Sequence, residues 1–152
     1  MRLLTMLMVL FSLSAFATEY EKKTFSHTDF GNDGFSRNYY ACSFAEAALN
    51  DHLVKLGAIN VRTSCSGGIE PWGTVFPVSL RATFEAPKAG QDFSRTERVR
   101  ITSQSRGNSS CFFHTKLLRK LLPVFPNVAV SAQRSTCSNN ESRWNYDLQV
   151  SL

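Results

Sequence analysis

The chain has 152 residues, carries 17 Lys+Arg against 12 Asp+Glu for a formal charge of +5, and is 43% hydrophobic and 12% aromatic. That composition is globular rather than disordered, the length allows one domain or two very small ones, and a large multidomain enzyme is excluded. The positive balance is too slight to imply a protein that wraps nucleic acid, so no nucleic-acid partner is expected.

Met1-Arg2 is a short positive start, followed by an apolar run, Leu3 to Phe16, interrupted by Thr5, Ser12 and Ser14. Ala15-Phe16-Ala17 then fits the small-x-small rule of signal peptidase. The expectation is a cleaved secretory signal over 1–17, with 18–152 a single exported domain, periplasmic or extracellular. The run is too short to span a bilayer, and no other run approaches spanning length, so no transmembrane segment is expected.

A strand is expected near Glu21–Thr28, then an acidic, glycine-containing turn over Asp29–Gly34. Residues 39–56 are rich in helix formers, with Cys42, Ala45, Leu49, Leu53 and Leu56 at helical spacing and Gly57 at the stop. Two strands follow. Ile59, Val61, Thr63 and Cys65 share one face of the first; Phe76, Val78, Leu80, Ala82 and Phe84 share the buried face of the second. The second half repeats the order: a strand at Glu97–Gln104, a helix from caps at Asn108-Ser109-Ser110 with Cys111, His114, Leu118 and Leu121 on one face, a strand from Val128 to Cys137, and a strand with Trp144, Tyr146, Leu148, Val150 and Leu152 inward.

The order repeats because the sequence does. Cys65 and Cys137, Trp72 and Trp144, and Val78-Ser79-Leu80 and Val150-Ser151-Leu152 are each 72 residues apart, and Cys42 and Cys111 are 69 apart. This reads as two tandem strand–helix–strand–strand repeats, about 19–86 and 92–152. The expected fold class is α+β: one mainly antiparallel six-stranded sheet with two helices packed on one face. In an oxidising compartment four cysteines read as two disulfides. The helix start and the inward strand face allow Cys42 to meet Cys65, and Cys111 to meet Cys137, one bridge per repeat. Val128, Val130 and Ala132 have the wrong parity for Cys137, so a bulge near Arg134 is required.

No nucleophile elbow, Walker loop, zincin helix or Cys-x-x-Cys pair is present, and no cofactor or metal is implied. Between Lys88 and Arg143 ten basic residues face three acidic ones. Arg98, Arg100, Arg106, Lys116, Arg119 and Lys120 are the candidates for an anion- or partner-binding patch, because exposed guanidinium and ammonium groups recognise carboxylate and phosphate. Trp72 and Trp144, at equivalent positions, are candidate aromatic contacts, although their strand parity favours packing at the edge of the core. The reading is an exported, disulfide-stabilised, non-enzymatic binding or structural module whose partner is an acidic protein, a glycan or a membrane surface. The alternative is a small secreted hydrolase with a site near His27, Asp29, Asp33 and Arg37.

Overall fold

The computed structural model describes residues 18–30, 39–70, 72–93, 95–105, 109–137 and 142–152. The expected signal segment, 1–17, lies outside them. The element order is β1 (Tyr20–Asp29), α1 (Cys42–Lys55), β2 (Ile59–Ile69), β3 (Val75–Pro87), β4 (Thr96–Ser105), α2 (Ser109–Leu121), β5 (Val128–Cys137) and β6 (Ser142–Ser151), with a 3₁₀ turn at Leu122–Val124 after α2. The fold is α+β, and each half runs strand–helix–strand–strand.

The strands form two three-stranded antiparallel sheets, β1-β3-β2 and β4-β6-β5, not the single six-stranded sheet expected. In each half the last strand takes the middle place, so both of its edges are used within its own unit. The units meet through side chains instead. Phe84 of β3 stacks on Phe125 with ring centroids 5.5 Å apart, and Tyr40 and Phe44 pack on Phe113 of α2. One continuous core results, in which Leu49, Leu53 and Leu56 join Leu80 and Phe84 of the first half and Leu117, Leu118, Leu121, Tyr146 and Leu148 of the second.

α1 forms because Ala45, Ala48, Leu49, His52 and Leu53 return to one side every three or four residues and are buried there. It stops at Gly57, whose φ of +93° suits glycine. A side chain there would also collide, since a Cβ would lie 2.8 Å from Leu152 Cδ2 of the other unit. Asn127, almost fully buried, locks the same junction: its side-chain Nδ2 donates to Leu56 O and Ser151 O, and its backbone carbonyl accepts from Ser151 N.

Strand parity follows the sequence along most of its length. Val78, Leu80, Ala82, Phe84 and Ala86 are buried on β3, and Trp144, Tyr146, Leu148 and Val150 on β6. Three positions depart from expectation. Phe76 is 45% exposed because β3 there has passed beyond the sheet into a projecting hairpin. Ile59 is exposed because the β2–β3 register shifts between Ile59 and Arg62 around Asn60, whose φ is +53°. The β5 bulge lies between Val130 and Ala132, earlier than Arg134; it returns Cys137 to the inner side and turns Ala132 to the outside.

Both disulfides pair as the repeat requires, Cys42 with Cys65 and Cys111 with Cys137, each with Cα atoms 5.6 Å apart. Each ties the first turn of a helix to the strand that follows it, closing sequence separations of 23 and 26 residues. Loops of that size contribute about 3–4 kcal/mol apiece in the chain-entropy account. Two outcomes are expected. Peptide mapping without reduction yields only these two linked pairs. Leu80→Asp, which puts an unpaired charge at a fully buried position of a central strand, lowers unfolding free energy by about 3–5 kcal/mol in denaturant titration.

Candidate functional site

On β6 the buried face of Trp144, Tyr146, Leu148 and Val150 turns toward α2, so Arg143, Asn145, Asp147 and Gln149 face the other way. Cross-strand partners share a face. Arg98 therefore lies beside Gln149, Arg100 beside Asp147, and Arg134 of β5 beside Asn145. Among the described residues, four guanidiniums, those of Arg98, Arg100, Arg134 and Arg143, thus share one sheet face with the carboxylate of Asp147. Arg100 Nε donates to Asp147 Oδ1 at 2.8 Å, and Arg98 Nη2 lies 3.6 Å from Oδ2.

Asp147 lies on this outer face and is nevertheless only 7% exposed. Its cover is the two arginine side chains lying across it, not depth in the core. The hydrogen bond from Arg100 holds its carboxyl below the usual carboxylate range; the charges of Arg100 and Arg98 add to this, against partial desolvation. Arg98 and Arg100 nevertheless keep 68% and 59% of their side-chain surface in solvent. They are held in position and still reachable.

The other candidate cations do not join this face. α2 packs on the inner side of β5 and β6, so Lys116, Arg119 and Lys120 are separated from Arg98 and Arg100 by the sheet itself. Arg106 lies outside the described residues. Lys116 instead crosses to the first unit, its Nζ 3.6 Å from Asp29 Oδ1 at the end of β1. Asp29 is buried and shares its strand side with His27. Burial lowers the His27 pKa; Asp29 opposes that shift, and the charges of Lys120 and Lys116 add to it. Asp33 and Arg37, the other members of the alternative hydrolase site, lie outside the described residues. A groove of 560 Å³ opens on the opposite side of the same sheet, lined by Lys22, Thr24, Asn60, Arg62, Thr83 and Glu85, and does not include His27 or Asp29. Among the described residues no three His, Cys, Asp or Glu side chains are grouped to hold a metal ion.

The two tryptophans have opposite fates. Trp72 is 92% exposed at the β2–β3 turn, against the core-edge packing its parity suggested, whereas Trp144 is 3% exposed. Trp144 is held by an arrangement that no local motif announces. His52 of α1 and His114 of α2 hydrogen-bond ring to ring, Nε2 to Nδ1, at 2.9 Å, and His114 stacks on Trp144 at 4.8 Å. Asp51 Oδ2 lies 3.7 Å from His52 Nδ1. A proton on Nδ1 is favoured by that carboxylate, which leaves His52 Nε2 to accept from His114 Nδ1–H. Burial drives both values down, His52 to about 3 with the neighbouring His114 adding, and His114 to about 4. Cys111 and His114, one turn apart, make no thiolate–imidazole pair, because Cys111 is in a disulfide.

The pair makes stability depend on acid. Both folded values lie below the ordinary 6.5, so the unfolded chain takes up protons first. The stabilisation is complete above pH 6.5 and is lost as pH falls toward the folded values, at up to about 1.4 kcal/mol per pH unit for each proton taken up. Chemical denaturation at pH 7 and pH 5 measures it, and a His52→Leu/His114→Leu variant is expected to show a flatter dependence. The chain matches no family model, no curated protein and no solved structure.

Proposed function

We propose that this is an exported, disulfide-stapled binding module without catalytic activity, and that the outer face of the β4-β6-β5 sheet receives an anionic partner surface. The carrying observation is the guanidinium array: Arg98, Arg100, Arg134 and Arg143 on one face with Asp147 as the carboxylate among them. Arg98 and Arg100 leave β4 about 7 Å apart, and Arg134 lies two strand spacings away, about 10 Å. That spread suits several carboxylate, sulfate or phosphate groups held in an array better than one small anion. Guanidinium forks take such groups in pairs of parallel hydrogen bonds. Asp147 orients two of the four and leaves the face positive.

Two further observations support the setting. Two disulfides fit an oxidising compartment, in keeping with the apolar leader expected over 1–17. No helix among the described residues is long and apolar enough to cross a membrane.

Binding to anionic vesicles and to a polyanionic glycan, at low and physiological salt, tests the proposal. Arg134→Ser keeps both Asp147 ion pairs and so spares the local fold. It is expected to weaken vesicle binding about five-fold, the value of about 1 kcal/mol for one cation near an anionic surface. Arg98→Ser/Arg100→Ser is expected to weaken it further, and higher salt to weaken wild type steeply, since exposed charges reach only about 8–10 Å. Equal retention of wild type and both variants on every matrix refutes the proposal.

A further inference from the structure

The β2–β3 hairpin continues past the sheet as a short finger. Gly67 and Gly68, with φ of +81° and +85°, sit at a register shift where the hairpin leaves the ladder. Beyond it Gly68 pairs with Phe76 and Ile69 with Val75, and the tip closes through Glu70 N to Thr74 O and Gly73 N to Glu70 O, both 3.0 Å. The described residues of the finger are therefore tied together by backbone hydrogen bonds. Its base is anchored just ahead of α1 by Ile69 N donating to Tyr40 O.

It displays apolar side chains on both faces and at its apex, with Glu70 and Thr74 also exposed. Phe76, 45% exposed, has the parity of the core residues Val78 and Leu80; Ile69 and Val75, 48% and 36% exposed, face the opposite way; Trp72, 92% exposed, forms the apex. Apolar side chains on one face alone would mark the rim of a core or a flat docking patch. On both faces and the apex together, they call for a medium that surrounds the finger. Glu70 is the one charged residue between Cys65 and Leu80.

Behind the apolar tip two lysines of α2, Lys116 and Lys120, stand beside the carboxylate of Asp29, which Lys116 pairs with. Asp29, the residue that Lys116 reaches, lies opposite Val78, and His27, which feels the charge of Lys120, lies opposite Leu80. Val78 and Leu80 are about 7 and 13 Å along the strand from Phe76. Interfacial segments sink their apolar parts about 5–10 Å into the boundary of headgroups and acyl chains. A finger inserted to Phe76 brings Lys116 and Lys120 to the depth of the lipid phosphates.

We propose that the finger carrying Ile69, Trp72, Val75 and Phe76 inserts into the interfacial region of an anionic phospholipid bilayer, with Trp72 leading and Lys116 and Lys120 meeting the headgroups. This site is distinct from the arginine face of the second sheet and does not depend on it.

Trp72 is its own reporter, because Trp144 is already buried. Full-length mature protein is mixed with vesicles of phosphatidylcholine alone and of equimolar phosphatidylcholine and phosphatidylglycerol. With the mixed vesicles the emission is expected to shift to the blue and to be quenched by lipids brominated on the acyl chains. Trp72→Ser/Phe76→Ser, which removes only exposed side chains, is expected to lose the quenching and to partition at least about ten-fold less. Arg98→Ser/Arg100→Ser is expected to keep the quenching. No quenching in either vesicle overturns the proposal, even if the protein is retained through its arginine face. A blue shift that appears without lipid as protein concentration rises also overturns it, since a second copy then covers the finger.

Discussion

A three-stranded sheet with one helix is too small to bury its own inner face, and that shortfall shapes this molecule. Each unit has a disulfide that fixes its helix to its second strand, yet the helix still has a side its own sheet cannot cover. The seam between α1 and α2 covers it. Tyr40 and Phe44 meet Phe113, His52 meets His114, and Trp144 closes over the histidine pair. The two ladders stay separate, and the units join by side-chain packing. The polar outer faces of both sheets are thereby left open to solvent.

Residues that act through periodicity were legible in the sequence. The alternation of Val78, Leu80, Ala82 and Phe84 and the helical spacing of Ala45, Leu49 and Leu53 put each on the side where it is buried. The similar offsets of the cysteines, 69 and 72 residues, together with the helix start and inward strand face, pointed to both disulfides. Even the need for a β5 bulge followed from parity, although its place, next to Ser131, depends on how β5 fits β6. Features requiring two elements to meet were hidden. Nothing near His52 names His114, 62 residues away, and nothing near Trp72 says that its hairpin outruns the sheet while Trp144 is drawn into the seam. Asp147 reads as an ordinary solvent-facing acid until Arg98 and Arg100 are laid beside it by the β4–β6 register.

The candidate cations illustrate the same limit. Read along the chain, Arg98 to Lys120 looks like one basic region. In space a sheet divides it: two arginines join Arg134 and Arg143 on the outer face, while Lys116 and Lys120 turn to the end of the first sheet and its finger. Linear charge density counted the groups correctly and could not say which surface each would serve.

The order of strands within each unit has a consequence for how the chain assembles. In both halves the strand made last lies in the middle, and both cysteines of each half precede it: Cys42 and Cys65 come before Val75, Cys111 and Cys137 before Ser142. A chain delivered N-terminus first presents each thiol pair while β1 and β2, or β4 and β5, still lack the strand that separates them. Oxidation at that moment ties helix to edge strand and leaves a slot one strand wide. The arriving strand then has a prepared template on both sides, so the covalent step narrows the search that the slower, non-local pairing must make.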